Sequence, residues 1–276
     1  MNRINPRNAF FAAAALAALV AASSLAAQEP GNVPETKAPP AAQAAPATPP
    51  APTAEQVAPA PKANDEQNKA AWARPDKYKE ADLALGPPAA DEDRVVFMGD
   101  SITEAWHFTG PQGSFNGKPY VNRGVSGQAT PHMLIRFQQD VIALQPKVVV
   151  ILAGTNDIGG NAGPMTLEQT EANLATMAEL ATANHIRVVL CSVLPALDFP
   201  WHHGQVPAPK IVALNDWIKA YAAEKGYVYV DFHSAMKDEH DGLPPMLSRD
   251  GVHPLPAGYA VMTPLVEEGI KKALGL

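Results

Sequence analysis

Five short apolar runs of β type recur along the chain from about residue 94 onward. The first, Arg94-Val95-Val96-Phe97-Met98-Gly99, is hydrophobic on consecutive positions, as expected for a strand buried on both faces of a parallel sheet. Glycine at 99 permits a tight exit from this strand, because it has no Cβ to clash. The five runs cover residues 94–99, 120–122, 148–152, 186–191 and 227–232.

Helical patterns alternate with these runs, and start and stop signals bound them. Thr130-Pro131 predicts an N-cap followed by proline at the first helical position. Thr166 and Gln169 form the spacing of a capping box. Gly226 is a C-terminal stop for a helix with apolar residues at helical spacing. The predicted helices cover about 131–144, 167–184, 211–226 and 256–274, the last with Pro264 inside it and bent there.

Strand–helix alternation of this kind predicts an α/β fold. We expect a five-stranded parallel sheet with helices on both faces, a flavodoxin-like three-layer sandwich. Residues 68–90, with Trp72 and Tyr78, are predicted to pack on its outside as an N-terminal extension.

The first 27 residues have the pattern of an export signal. Arg3 and Arg7 supply a positive start, and the apolar stretch 10–20 is too short to span a bilayer. Ser24-Leu25-Ala26 predicts cleavage after Ala26 or, as the neighbouring choice, after Ala27, with an uncleaved anchor as the alternative. No later segment is long and apolar enough to cross a membrane. We therefore expect a secreted or periplasmic protein.

Residues 28–67 are rich in proline and alanine and nearly free of large apolar side chains. Such a segment cannot bury enough surface to offset its ordering entropy, so a disordered, semi-stiff linker is predicted. The predicted organisation is a signal peptide over 1–27, this linker over 28–67 and one folded domain over 68–276.

Charge and cysteine content exclude several function classes. The chain has 21 basic and 28 acidic residues, a net charge of −7, which argues against nucleic acid and anionic membranes as partners. The single cysteine, Cys191, ends an apolar run and is expected to be a buried, inert thiol. An internal disulfide and a cysteine nucleophile are therefore not expected.

Polar residues follow the predicted strands, and in a parallel sheet all these loops lie at the carboxyl edge, where open α/β folds bind ligands. Each loop alone is weak evidence, since glycine, asparagine and aspartate are common in turns. Together they suggest a site. The loops are Gly99-Asp100-Ser101, Asn122-Arg123-Gly124-Val125-Ser126-Gly127, Gly154-Thr155-Asn156-Asp157 and Asp250-Gly251-Val252-His253-Pro254.

Three of these residues fit nucleophilic catalysis. Ser101 needs an adjacent base, which His253 can supply because imidazole titrates near neutral pH. Asp250, three residues before the histidine, can hold the imidazole in one tautomer. The alternative is structural: Ser101 as a helix N-cap, Asp250 as the cap of the next helix, and a solvated His253.

A tetrahedral intermediate also needs hydrogen-bond donors aimed at its oxyanion. The candidates are the backbone N–H groups of Ser101 and Gly127 and the side-chain amide of Asn156. An ordinary turn glycine and turn asparagine are the alternatives. Asp100 and Asp157 are interpreted as structural.

The loop after the fourth strand contains Phe199-Pro200-Trp201-His202-His203. We expect Trp201 and His202 to form a lip of the substrate pocket, where an aromatic face can stack on a sugar ring or an acyl chain. A surface loop without function is the alternative. No metal site is predicted, because adjacent histidines rarely reach one ion and no acidic or cysteine partner has suitable spacing.

The four loops resemble the four sequence blocks of the SGNH (GDSL-like) hydrolases over residues 72–274. Ile102 replaces the leucine of Gly-Asp-Ser-Leu, as is common in the platelet-activating-factor acetylhydrolase-like branch. The resemblance implies a serine esterase with Ser101, Asp250 and His253 as its triad, Ser101, Gly127 and Asn156 around the oxyanion, and no cofactor. The elbow Gly-x-Ser-x-Gly of other α/β-hydrolases does not occur at Ser101.

The expected function is hydrolysis of short-chain, above all acetyl, carboxylic esters by an exported enzyme, with acylated carbohydrates as possible substrates. A lysophospholipase or arylesterase type of acylhydrolase is the alternative enzyme. A glycan-binding module without activity and a flavodoxin-like nucleotide binder are the non-catalytic alternatives. The expected partner is a small-molecule or glycan ester; no residue pattern predicts an oligomeric state.

Overall fold

The computed structural model describes residues 74–106 and 117–276. The predicted signal peptide, the whole predicted linker and Trp72 lie outside these residues. Among the helices that are described, none has the length and apolar character that a membrane crossing needs.

Five parallel strands form one sheet in the order β2-β1-β3-β4-β5. They are β1 (Val95–Gly99), β2 (Tyr120–Gly124), β3 (Val148–Leu152), β4 (Arg187–Cys191) and β5 (Val228–Val230). This order is the flavodoxin-like one, in which the chain reverses its winding direction next to β1. The predicted α/β sandwich with a five-stranded parallel sheet is confirmed.

Eight α-helices connect or flank the strands. They are α1 (Lys79–Leu85), α2 (Ser101–Glu104), α3 (Thr130–Asp140), α4 (Thr155–Ile158), α5 (Leu167–Ala183), α6 (Ala208–Lys225), α7 (Phe232–Met236) and α8 (Pro256–Leu274) among the described residues. The capping box at Thr166 and Gln169 is confirmed, and Gly226 ends α6 with φ of 71°. Pro264 lies inside α8.

Two hydrophobic cores lie on opposite faces of the sheet. Along β3, Val149 and Ile151 face the core formed with α3, α5 and α6, whereas Val148 and Val150 face the core formed with α7 and α8. Every residue of β1 and β3 is buried, which explains their unbroken apolar sequences. Cys191 is buried in the second core, and burial raises the pKa of its thiol.

Several predicted boundaries were wrong. The N-cap of α3 is Ala129, not Thr130, and the helix ends at Asp140, followed by a 3₁₀ turn at Ile142–Leu144. β2 continues beyond Asn122 to Gly124 because these residues pair with β1.

The last strand stops before residue 232. Asp231 accepts a hydrogen bond from the backbone of Ser234 and so begins a helix where a continuous strand was expected.

Strand register places the functional loops side by side. Gly99, the last residue of β1, lies opposite Gly124 of β2 and Leu152 of β3. The chain therefore leaves three neighbouring strands at one level, and the loops that follow them meet at the carboxyl edge of the sheet.

Candidate active site

Ser101 is the first residue of α2, directly after the end of β1. Asp100 caps this helix, accepting a 2.9 Å hydrogen bond from the backbone N–H of Ile102. A Cβ on Gly99 would lie 2.0 Å from the Thr103 hydroxyl oxygen and 2.8 Å from the Leu152 carbonyl oxygen. Only glycine therefore allows the strand to turn into the helix this tightly.

Ser101, His253 and Asp250 form one chain of hydrogen bonds, although the serine and the histidine are 152 residues apart. The Ser101 hydroxyl lies 2.9 Å from Nε2 of His253, and Nδ1 of the same ring lies 2.6 Å from Oδ2 of Asp250. With Nδ1–H donating to the carboxylate, Nε2 is left to accept the serine proton. The geometry is that of a nucleophile, a base and an orienting acid.

The turn around Asp250 fixes its carboxylate. Oδ1 accepts hydrogen bonds from the backbone of Val252 at 3.0 Å and of His253 at 2.8 Å, and from the Ser248 hydroxyl at 3.0 Å. Partial burial acts to raise the pKa of Asp250, but these bonds and the one from the imidazole outweigh it and hold the pKa below its usual range. The carboxylate is therefore ionised when the imidazole gains a proton.

Asp100 is placed differently, although it lies beside the nucleophile in the sequence. It is 1% exposed, and burial raises its pKa to about 7, against the hydrogen bond from Ile102 and the charge of His253. Its Oδ2 lies 3.2 Å from Nδ2 of Asn156. Asp100 thus joins the nucleophile turn to the loop after β3, in agreement with its structural interpretation.

Asp157 has a comparable structural position. The backbone N–H and hydroxyl of Thr130 both donate to its carboxylate, at 3.0 Å and 2.5 Å. Burial raises the pKa of Asp157, and these hydrogen bonds oppose the rise. The carboxylate satisfies the first turn of α3 across the loop, which is why Thr130 is not the cap of its own helix.

Two of the three predicted oxyanion donors are backbone groups, the N–H of Ser101 itself and that of Gly127. Gly127 is exposed and has φ of 77°, a conformation that favours glycine. Within the described part of the chain, the N–H groups of Ser101 and Gly127 have no hydrogen-bond acceptor. Both are therefore free to donate to a substrate oxygen.

The third predicted donor, Asn156, is engaged within the protein. Its Nδ2 donates to Asp100 at 3.2 Å and to the Gln128 carbonyl at 3.0 Å, and the residue is 3% exposed. An amide nitrogen has two hydrogens, so Asn156 can serve an oxyanion only by sharing or exchanging one of these bonds. Its role as an oxyanion donor stays a prediction.

Asn161 is a site residue that the sequence did not indicate. Its Nδ2 donates to Oδ1 of Asn156 at 2.7 Å and to the carbonyl oxygen of Gly127 at 3.2 Å. One exposed side chain thus joins two predicted oxyanion donors and fixes which way the amide of Asn156 points. In the sequence it follows Gly159-Gly160, where an asparagine is typical of a simple turn.

Trp201 and His202 take up different positions. The indole of Trp201, 41% exposed, stacks on Phe199 at 5.0 Å between ring centroids and lies 6.2 Å from the ring of His253. His202 instead contacts the Gly159 carbonyl at 3.1 Å and lines a neighbouring cavity of about 290 Å³ with Gln205 and Lys210. Substrate binding by either residue stays a prediction.

The two adjacent histidines are not directed at a common point. His202 faces Gly159, whereas Nδ1 of His203 pairs with the Asp198 carboxylate at 2.6 Å. Across residues 74–106 and 117–276, histidine, cysteine, aspartate and glutamate side chains nowhere gather in a group of three or more that could hold a metal ion.

Comparison with known proteins identifies relatives of this chain. Residues 97–261 match the model of the GDSL-like lipase/acylhydrolase family. A GDSL-like lipase from Bacteroides thetaiotaomicron is similar in structure, with a TM-score of 0.70 and 45% identity, covering 73% of this chain and 98% of that one.

Two curated relatives are more distant. The platelet-activating factor acetylhydrolase IB subunit alpha1 of Homo sapiens is 29% identical over 181 residues, 59% of this chain and 72% of that protein. An acetylxylan esterase of Geobacillus stearothermophilus is 25% identical over 204 residues, 62% of this chain and 90% of that protein.

Proposed function

The chain belongs to the GDSL-like lipase/acylhydrolase family and is an ester hydrolase; on this basis we propose that it cleaves short-chain carboxylic esters through an acyl-enzyme on Ser101. One observation carries the proposal. The hydroxyl of Ser101 lies 2.9 Å from Nε2 of His253, whose Nδ1 lies 2.6 Å from Asp250. This is the arrangement that makes a serine hydroxyl nucleophilic at neutral pH.

In the acylation step, Oγ of Ser101 attacks the ester carbonyl and its proton passes to Nε2 of His253. Asp250 stabilises the imidazolium that forms, because its depressed pKa keeps it ionised. The oxyanion accepts hydrogen bonds from the backbone N–H groups of Ser101 and Gly127 and from Asn156. The intermediate collapses, the C–O bond breaks, and His253 returns the proton to the departing alcohol.

Deacylation repeats the sequence with water as the nucleophile. His253 removes a proton from the water, the hydroxide attacks the acyl carbon, and the same donors stabilise the second oxyanion. Collapse returns the proton to Ser101 and releases the carboxylic acid. The protein's own groups supply every proton transfer in both steps.

The proposed substrates are acetyl esters of carbohydrates, which the exported enzyme would hydrolyse outside the cytoplasm. The curated relatives include an acetylxylan esterase and an acetylhydrolase, so their names point to acetyl groups. Trp201 supports a sugar as the alcohol part, because its partly exposed indole lies 6.2 Å from the ring of His253, which returns the proton to the departing alcohol. Export is supported by the signal-like sequence of residues 1–27.

Hydrolysis of p-nitrophenyl acetate by the wild type and by Ser101→Ala tests the proposal. The variant is expected to lose about 10³-fold or more in kcat, since one member of the catalytic unit is removed. Ser234→Ala, at an exposed serine whose hydroxyl donates to Asp231, is the matched control and should retain wild-type turnover. A Ser101→Ala enzyme as fast as the wild type would exclude the acyl-enzyme.

A second experiment tests the substrate class. Turnover should be compared on p-nitrophenyl esters of increasing chain length and on acetylated xylo-oligosaccharides. The proposal predicts the highest kcat/KM for acetyl esters and a further rise with the sugar alcohol, which Trp201→Ala should remove. A preference for long acyl chains or lysophospholipids would instead favour the other acylhydrolase types.

A further inference from the structure

The segment before the family-matched region contacts the loop that contains Gly127. Tyr78 donates its hydroxyl proton to the carbonyl of Gly124 at 2.5 Å, and Lys77 approaches the same oxygen at 3.4 Å. Both residues precede residue 97, where the match to the family begins. The loop at Gly124–Gly127 is therefore held from outside the family's core region.

Glu104 links this contact to the nucleophile. It is the last residue of α2, the helix that begins with Ser101, and one of its carboxylate oxygens accepts the backbone N–H of Ser126 at 2.5 Å. The other oxygen forms an ion pair with Lys77. A single carboxylate thus joins the nucleophile helix to the residue before Gly127.

The helix and the loop are also in direct contact. A Cβ on Gly124 would lie 2.1 Å from the backbone nitrogen of Glu104, so no side chain separates the two backbones. Val125 donates its N–H to Gly99 at 3.0 Å. The Val125–Ser126 peptide, whose N–H Glu104 accepts, directly precedes the peptide that carries the Gly127 N–H.

The ion pair is partly shielded from solvent and anchored. The side chain of Lys77 is 16% exposed and that of Glu104 is 36% exposed. Arg123 anchors the segment that contains Lys77: it pairs with Asp82 of α1 and lies 4.7 Å from the ring of Tyr78. If the ammonium group of Lys77 is removed, the carboxylate of Glu104 loses its ion-pair partner and is more stable when it turns toward water. It would then release the N–H of Ser126.

We infer that Lys77 and Glu104 are positioning residues of the esterase: they hold the Val125–Ser126 peptide, and this fixes the start of the next peptide, so that the Gly127 N–H faces the oxyanion formed on Ser101. This inference rests on the proposed function. The segment before residue 97 is then part of the active enzyme, and Lys77 affects catalysis without touching the substrate.

The test uses kinetics of the full-length protein with p-nitrophenyl acetate. Glu104→Ala removes the acceptor for Ser126, and kcat should fall about 10-fold or more with KM unchanged within about 2-fold, because a displaced donor weakens only the transition state. Lys77→Met should show a smaller fall of the same kind. Lys77→Arg should restore turnover.

Conservative and paired variants separate positioning from folding. Glu104→Gln keeps an oxygen for Ser126 and should stay close to wild type, and adding Lys77→Met to it should cause no further loss. The matched control is Lys118→Met, which breaks an ion pair with Glu267 and should leave kcat unchanged. Inhibition by a boronic acid, which forms a tetrahedral adduct on the serine, should weaken in proportion to kcat.

The outcomes are distinct from failure of the proposed function. If Ser101→Ala is inactive but Glu104→Ala turns over like wild type, the esterase stands and the positioning role is overturned. A fall in kcat that the folded fraction fully accounts for, with unchanged boronic acid affinity, overturns it as well. If Ser101→Ala remains active, the esterase mechanism and the positioning role both fail.

Discussion

The proposed mechanism needs an imidazole that can accept the proton of the serine hydroxyl, and two turns bring Ser101 and Nε2 of His253 to 2.9 Å from each other. The Asp250 turn holds its own carboxylate with backbone hydrogen bonds from Val252 and His253, so the imidazole is directed before substrate arrives. Such preorganisation costs no rearrangement during the reaction. On the side of the proposed oxyanion site, Asn161 donates to Oδ1 of Asn156 and so fixes the orientation of that amide in the same way.

Replacing Asn156 tests whether its engaged amide still serves the oxyanion. Asn156→Ala is expected to lower kcat by about 10²–10³-fold, the usual loss for one oxyanion donor, with KM little changed. The substitution removes the hydrogen bond from Asn156 to the Gln128 carbonyl, so thermal unfolding must confirm that the variant is folded at the assay temperature. A change confined to KM would contradict the role.

The titration of Asp100 makes stability depend on pH. Its pKa is about 7 in the folded protein and near 4 when unfolded, so the folded state binds the extra proton between these values. The contribution of the Asp100 proton to the free energy of unfolding is complete below about pH 4 and is lost as the pH rises to about 7. It amounts to at most about 4 kcal/mol.

Chemical denaturation of wild type and Asp100→Asn at several pH values measures this effect. The free energy of unfolding of the wild type, relative to the variant, should decrease from pH 4 to 7 and level off above. Asparagine can still accept the Ile102 N–H, so the cap remains in the variant. A difference that is the same at every pH would show that Asp100 is ionised throughout.

At the scale of elements, helix α3 binds the ends of two strands through one buried side chain. Arg136, which has no exposed surface, donates to the carbonyls of Gly99 and Arg123 at 3.0 and 2.7 Å. It also pairs with Asp140 one turn later, at 2.8 Å. The guanidinium thus satisfies the carbonyls that β1 and β2 expose where their loops begin.

Removing this arginine should destabilise the whole domain. Arg136→Leu removes the ion-pair partner of the buried Asp140 carboxylate and the donor to the Arg123 carbonyl, while the Gly99 carbonyl keeps only the N–H of Val125. We expect a loss of about 3–5 kcal/mol in urea denaturation. The control is Lys147→Met, which breaks the ion pair with Asp93, about half exposed, and should cost under about 1 kcal/mol. Similar losses in both variants would disprove the special role of Arg136.

At the scale of the whole molecule, parallel strands place chemistry from distant parts of the chain at one edge. Gly99, Gly124 and Leu152 lie at one level in adjacent strands, so the loops that follow them meet at the same edge of the sheet. The last loop, at 250–254, comes from the other end of the sequence, directly before α8, and Ser248 contacts both Asp250 and Pro254. Lys77 and Tyr78, which precede the sheet in the sequence, contact the carbonyl of Gly124 at the end of β2.

The sequence by itself determined the α/β alternation, the capping box at Thr166 and the residues of the predicted triad. Apolar spacing and cap residues act within a few positions, so they can be recognised without coordinates. The error at α3 has the opposite origin: Thr130 has the chemistry of a cap, but the Asp157 carboxylate, 27 residues away, takes its hydroxyl.

Only the tertiary structure decided which groups partner each other at the site. Asn161, Glu104 and Lys77 belong to no local pattern, because an asparagine in a turn or a charged side chain on a helix is ordinary in sequence. Their roles come from hydrogen bonds to backbone groups far away in the chain, such as that between Glu104 and Ser126. Backbone donors and acceptors are the same at every residue, so no sequence signal records which of them a side chain will meet.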